Sequence, residues 1–303
     1  MIYAIRTHKL NKSFNGKEVV SNLDLNVKKG EIHVLLGQNG ASKTTIVKML
    51  TNLLKPTSGE IEIFGDVLDK DSYKFLRRIG VIIESPVFYD HLSGEKNLEI
   101  HCAYSGYHTK DSVLKAINLL GLSEVAQKPI KSYSVMMKQR LGIARIILAK
   151  PELLILDEPF NTLDATGVED INNLFRTLCK ERGVTILITQ NSAIGIEQIA
   201  DTVSIIANGK LIEEVSVKNF QQEHITYYEL ETDNPVATAT FLEYNLNITN
   251  FKLIKNRFFR IYETNTVLKE LTKQLILQGI GIESIVSKKN SLENYFLTSI
   301  ESS

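Results

Sequence analysis

The sequence predicts an α/β protein: a mixed sheet core over residues 1–217 that contains a helical subdomain at about 91–150, followed by a small α+β domain over 218–303. Three observations predict it. Apolar runs LLIL at 153–156, TILIT at 185–189 and VSIIA at 203–207 alternate with helical patterns, as strands of a parallel sheet do. Residues 91–132 carry helical patterns and no strand. Near residue 217 the pattern resets and a new run of strands and helices begins. A length of 303 residues suits one large domain and a smaller one of about 80, enough to fold.

Taken in order, strand-like IYAIRTHKL, VVSNLDLNV and IHVLL open the chain. Thr44 through Leu54 then has helical spacing, with Ile46, Val47, Leu50 and Leu53 apolar. The turn KPTSGE ends that helix and leads to the alternating strand EIEIFG. Helical patterns follow at NLEIHCAYSG and DSVLKAINLLGL. VSIIANGKLIEE reads as a hairpin turning at Asn208 and Gly209. VKNFQQEHIT connects to the second domain: YYELET, a helix around ATATFLEY, FKLIKN, RFFRIYE, a helix with Leu268, Leu271 and Leu275 on one face, IGIESIVSK, and a last helix at SLENYFLTSI.

Composition excludes several classes. Lys+Arg and Asp+Glu balance at 35 each, so there is no electrostatic ground for a nucleic-acid partner. Two distant cysteines, Cys102 and Cys179, fit a reducing compartment and cannot form a thiol zinc cluster. No apolar run approaches the roughly 18 residues that span a bilayer, and MIYAIRTHKL lacks a signal-peptide core. Any link to a membrane is therefore expected through a partner. His101 and His108 lie in the helical subdomain without ligands at metal spacing and read as surface or packing residues.

The chemistry concentrates in two motifs. GQNGASKTT, residues 37–45, joins the strand IHVLL to a helix and fits the phosphate-loop form GxxxxGK[ST], with Ser42 in place of the second glycine. Such a loop converges backbone NH groups on phosphates at a helix N-terminus, where the helix dipole adds about half a positive charge. Gly37, Gln38, Asn39, Gly40, Ala41, Ser42, Lys43, Thr44 and Thr45 form the expected cradle, with Lys43 on the phosphates and the Thr44 hydroxyl on magnesium. Ser42 restores a Cβ where backbone and phosphate nearly touch. The second motif, LLILDEP at 153–159, sets Asp157 and Glu158 at the end of an apolar strand. Asp157 suits the magnesium shell, and Glu158 suits a general base for the attacking water.

With these motifs, residues 1 to about 217 resemble the ATP-binding subunits of ABC transporters, implying a P-loop NTPase cassette that binds ATP and Mg2+. Phe14 in KSFNGKEVV matches the aromatic that stacks on adenine. IGVIIESPVFYDHLSGEKNL, 79–98, matches the loop linking the γ phosphate to the membrane subunit, with Glu84 at its usual glutamine as a further metal ligand. SVMMKQRLGIARIILAKPELLILDEP, 134–159, matches the signature helix, whose Ser134 and Met136 face nucleotide across a dimer. NTLD, 161–164, matches the dimer-contact loop with Asp164, and ITQNSAIGIEQIADTVSIIANGKLIEE matches the switch region, with Asn191 in its catalytic position. Glu84, the ESPVFY context, SxxMKQRLGIA and the terminal SLENYFL resemble the bacitracin-resistance and lantibiotic-immunity exporter group.

The resemblance implies a cassette dimer, homomeric or heteromeric, bound to transmembrane permease subunits at the cytoplasmic face of the cell membrane through the 84–104 region. Three positions depart from the family pattern, all facing the γ phosphate: Ser42 for the loop glycine, Met136 for the signature glycine and Asn191 for the switch histidine. Asparagine donates a hydrogen bond but is shorter than histidine and cannot carry charge. Losing one positioned transition-state donor commonly slows a reaction about 10²-fold to 10³-fold, whereas the adenine stack, Lys43, Thr44 and Asp157 remain for binding. A homodimer carries all three departures at both sites; with an intact partner, one site carries Ser42 and Asn191 and the other Met136. Slowed hydrolysis by an antibiotic or bacteriocin exporter is the expectation. The alternative is a cassette that does not hydrolyse and serves as a nucleotide sensor or assembly module.

Overall fold

Apolar content along the chain is disposed in two compact units, Met1–Val217 with Phe296–Ser303, and Lys218–Tyr295. The structure, a computed structural model, describes residues 2–69, 73–106, 110–193, 195–222, 226–254, 257–262, 268–289 and 291–301. His108 and part of the predicted connecting segment, residues 223–225, lie outside the described residues.

The first unit opens with β1 (Tyr3–Phe14), β2 (Lys17–Leu23), β3 (Asn26–Lys28) and β4 (Ile32–Leu36). Then come α1 (Lys43–Leu50), β5 (Ser58–Ile63), β6 (Asp66–Val67) and β7 (Ile79–Ile82). Helices α2 (Gly94–Ser105), α3 (Lys110–Leu119) and α4 (Val135–Ile147) form the helical subdomain. The unit continues with β8 (Leu153–Asp157), α5 (Ala165–Arg182), β9 (Thr185–Gln190), β10 (Thr202–Ala207) and β11 (Lys210–Ser216).

A six-stranded sheet in the order β11-β10-β4-β9-β8-β7 forms the centre, parallel except for β11. Every residue of β4, β8, β9 and β10 is buried, which is why these strands read as continuous apolar runs: a parallel sheet covered on both faces offers no solvated side. The β10–β11 hairpin turns on Asn208 (φ 50°) and Gly209 (φ 75°), both left-handed as a two-residue turn requires. Beside this sheet an antiparallel one runs β2-β1-β5-β6, with β3 also on β1. Helix α1 sends Ile46, Val47, Met49 and Leu50 into one cluster with Ile5, Leu10 and Ile63 of the antiparallel sheet and Leu35, Ile155 and Leu187 of the parallel one. The phosphate-loop helix is thereby wedged between two sheets.

Local differences from the sequence reading have local causes. VVSNLDLNV is two strands rather than one: Asn22 adopts a left-handed φ of 46°, and the Leu25 amide donates to Thr7 Oγ1. The first helix stops at Leu50 instead of Leu54 because Asn52 turns left-handed at φ 59°. IGVI, predicted only as part of a loop, is β7, paired with β8 from Ile79–Leu153 to Ile82–Leu156.

The second unit begins within α6 (Val217–Gln222), comprises β12 (Thr226–Thr232), α7 (Pro235–Tyr244), β13 (Phe251–Ile254), β14 (Phe258–Ile261), α8 (Leu268–Leu277) and β15 (Ile282–Lys289), and ends within α9 (Leu292–Glu301). Its four-stranded antiparallel sheet, β13-β14-β12-β15, buries Leu230 and Phe259 with Phe241 and Leu242 of α7 and Leu271 and Leu275 of α8. Among the described residues no helix is long and apolar enough to cross a membrane.

Candidate functional site

The phosphate loop begins where β4 runs out beside β9 and β10. Gly37 is fixed there by its neighbours: its amide donates to Gln190 O at 3.0 Å, and a Cβ would lie 2.5 Å from Ile206 O. Gln38, Asn39 and Gly40 are exposed, while Ala41 is buried and its amide closes a turn onto Gln38 O. Gly40 and Ser42 both have positive φ, 84° and 74°. Ser42 therefore adopts the left-handed shape a glycine would take there freely, and as the residue before α1 it makes no side-chain cap. That leaves the first-turn amides of Lys43, Thr44 and the half-buried Thr45 without a capping oxygen, the arrangement that receives an anion.

Lys43 is buried, and its Nζ donates to Gly37 O at 2.7 Å and Gln38 O at 3.3 Å and lies 3.2 Å from Glu158 Oε1. Thr44 Oγ1 donates to Asp157 Oδ2 at 2.7 Å. The two motifs, over a hundred residues apart in sequence, thus meet through two pairs of side chains. Thr189, which the sequence reading missed, joins them. Its hydroxyl donates to Asp157 Oδ1 and accepts from the Glu158 amide, which also bonds Thr189 O at 3.1 Å. Glu158 leaves the strand with a left-handed φ of 49°, and its other carboxylate oxygen accepts from Asn161 Nδ2. Hydroxyl and carboxylate are hard oxygen donors, so Thr44 and Asp157 fit a magnesium ion bound with a phosphate.

The remaining predicted residues are placed as follows. Glu84, beyond β7 with φ 61°, is exposed and its carboxylate lies 3.1 Å from Lys48 Nζ, one turn beyond Thr44 on α1. Of the three expected metal ligands, the structure joins Thr44 and Asp157 and turns Glu84 to a lysine; no group of three His, Cys, Asp or Glu suited to a metal occurs among the described residues. Phe14 ends β1 with 45% of its surface exposed and Lys12 Nζ 5.0 Å from its ring centroid. Asn191 is half-buried immediately after β9, next to Gln190, whose buried Oε1 has no hydrogen-bond partner. Ser134 caps α4, accepting from the Met137 amide at 3.2 Å, and Met136 is half-buried in the first turn. Asp164 caps α5 through Gly167 N at 2.7 Å. His101 is held below the ordinary imidazole range by burial and by Arg145.

A strand-to-helix phosphate loop whose lysine and threonine meet two acids at the end of a parallel strand two places along the sheet defines a P-loop nucleotide-binding protein. The family model for ABC transporters matches residues 20–161. The chain is similar to the uncharacterized ABC transporter ATP-binding protein YcbN of Bacillus subtilis (strain 168), 48% identical over 98% of this chain and 97% of that one. It is also similar to the bacitracin transport ATP-binding protein BcrA of Bacillus licheniformis, 39% identical over 97% and 96% of the two chains. Among solved structures it resembles cbiO1 of Clostridium perfringens, part of the ABC transporter complex cbiONQ, with a TM-score of 0.66 and 25% identity over 82% of this chain and 98% of that one. The chain belongs to the ABC transporter family as an ATP-binding protein, and both long relatives extend through its second unit as well as its first.

Proposed function

We propose that this protein is the ATP-binding subunit of an exporter of a peptide antibiotic, and that it binds MgATP well and hydrolyses it slowly. The similarity to a bacitracin transport protein over nearly the whole chain supports the substrate class. As in that family, two cassettes would dimerise over nucleotide and dock on transmembrane subunits at the cytoplasmic face of the membrane, with the segment around Glu84 and Ser134–Met136 turned to these partners. Lys43 and the first-turn amides of α1 hold the phosphates, Phe14 stacks on the base, and Glu158 takes the proton of the attacking water at its carboxylate. Thr44 and Asp157 hold magnesium, which supplies positive charge to the phosphates when bound.

The observation that carries the reading is the conformation of Ser42. Its left-handed φ of 74° keeps the loop in the shape that glycine favours, so the cradle is retained in spite of the substitution. Binding is thereby preserved, and the effect of Ser42, Met136 and Asn191 falls on the γ phosphate and the water. Losses at one site are not additive, so a total near the effect of a single lost donor, about 10²-fold to 10³-fold, is expected. Single-turnover hydrolysis with the purified chain tests this. Acceleration on combining Met136→Gly with Asn191→His supports it; an initial rate equal to that of an intact cassette, unchanged in the double variant, defeats it. Normal nucleotide binding with no hydrolysis even in the double variant would favour the sensor.

A further inference from the structure

At the opposite ends of β8 and β9 from the nucleotide site lies a cavity of about 540 Å³, within the range of small-molecule pockets. Its floor is apolar, formed by Phe64, Ile147, Leu154 and Leu178. Three cations stand at its edge: Lys29 from the turn before β4, Lys150 before β8, and Arg182 at the end of α5. The one acid in the lining, Glu152, is occupied by Arg78 in a two-pronged pair at 2.6 and 2.8 Å, and that guanidinium lies 3.9 Å from the Phe64 ring centroid.

Charge decides what such a pocket accepts. Helices α4 and α5 both end here, each bringing roughly half a negative charge, about one unit together. Lys150 and Arg182 could be accounted for by those helix ends. Lys29 belongs to neither helix, and its Nζ lies 5.6 Å from the Phe64 ring centroid. Three cations against about one negative unit leave a surplus near two positive charges beside an apolar floor. We propose that this cavity binds a small amphipathic anion, a carboxylate, sulfonate or phosphate joined to an apolar body. The anionic head meets Lys29 and Arg182, and the body covers Leu154 and Leu178. The site is distinct from that of ATP: the four steps of β8 from Leu153 to Asp157 cover roughly 13 Å at the usual rise.

Calorimetric titration of the full chain with sodium octanoate tests the proposal, with octan-1-ol and inorganic phosphate as the neutral body and the bare anion. Expected are saturable binding at one site, weaker binding of both comparison compounds, and no change when ATP is present. Removing two charge-assisted contacts in Lys29→Gln/Arg182→Gln should weaken octanoate at least about tenfold, whereas the distant exposed Lys128→Gln should have no effect. Lack of saturable binding at millimolar octanoate, equal affinity for octanol or phosphate, displacement by ATP, or undiminished binding by the double variant would each overturn it.

Discussion

Lys43 Nζ and Glu158 Oε1 lie 3.2 Å apart, so the amine proposed to receive phosphate and the carboxylate proposed to activate water neutralise each other. With Gly37 O and Gln38 O as its other acceptors, the ammonium has all three protons engaged. Nucleotide must therefore compete with Glu158 for a side chain only 4% exposed. Glu158→Gln removes the competing charge and the proposed general base together. It is expected to bind a fluorescent ATP analogue several-fold tighter while hydrolysis falls by about 10²-fold or more. Weaker binding in equilibrium titration would mean that Glu158 positions the lysine instead of competing for it.

Ser42 carries the strain of a left-handed residue with a Cβ, roughly 1 to 2 kcal/mol, part of which glycine would return as unfolded-state entropy. Ser42→Gly is accordingly expected to stabilise the protein by up to about 1 kcal/mol, seen as a raised urea midpoint at unchanged slope. Ser42→Val, which puts a branched Cβ into the same conformation, should lower the midpoint. The opposite ranking would show that the loop refolds around residue 42 when it is altered.

What the sequence made legible follows the range of the interactions involved. β8, β9 and β10 announced themselves because strands buried on both faces are mostly apolar and lack a sustained polar alternation. Lys43, Thr44, Asp157 and Glu158 were legible because each motif is contiguous and carries its own chemistry. Thr189 was not, since its role arises from parallel register, Asp157 opposite Thr189, which no local pattern encodes. A hydroxyl near the end of the apolar run TILIT was the available signal. Likewise Glu31 and His33 looked like the start of an ordinary strand; only the pairing of β4 with β10 brings Thr202 and Ser204 to them.

Glu31 gives that buried network a definite pH dependence. Burial alone would raise its carboxyl, but the hydrogen bond and charge of His33, with the Lys28 amide and the Thr202 hydroxyl, outweigh it and hold the group below the ordinary range. A carboxyl depressed by folding contributes stability that is complete above the unfolded value, near 4.5, and is lost as pH falls through the lower folded value. Urea unfolding is therefore expected to show a loss of stability below about pH 4.5 that is smaller in Glu31→Gln. At pH 7 that variant should be less stable by about 2 kcal/mol, the worth of a charged hydrogen-bond acceptor. An identical pH profile in both proteins would place the acid sensitivity elsewhere.

Cys179 illustrates how the same region suppresses reactivity. Its thiol is part-buried on α5 and donates to Gly30 O at 2.7 Å. Burial first, and then the nearby carboxylates of Asp201 and Glu31, push its pKa up to about 11. At pH 8 only about one thiol in a thousand is then ionised, against roughly a quarter for an unperturbed cysteine. Since the thiolate is the nucleophile, alkylation by iodoacetamide should be slower by about two orders of magnitude in the folded chain and recover in denaturant. Cys102, also raised by burial and by Glu99, should be slowed in the same direction. Peptide mass spectrometry after timed alkylation separates the two, and rapid modification of Cys179 in the native protein would show that the end of α5 opens away from Gly30.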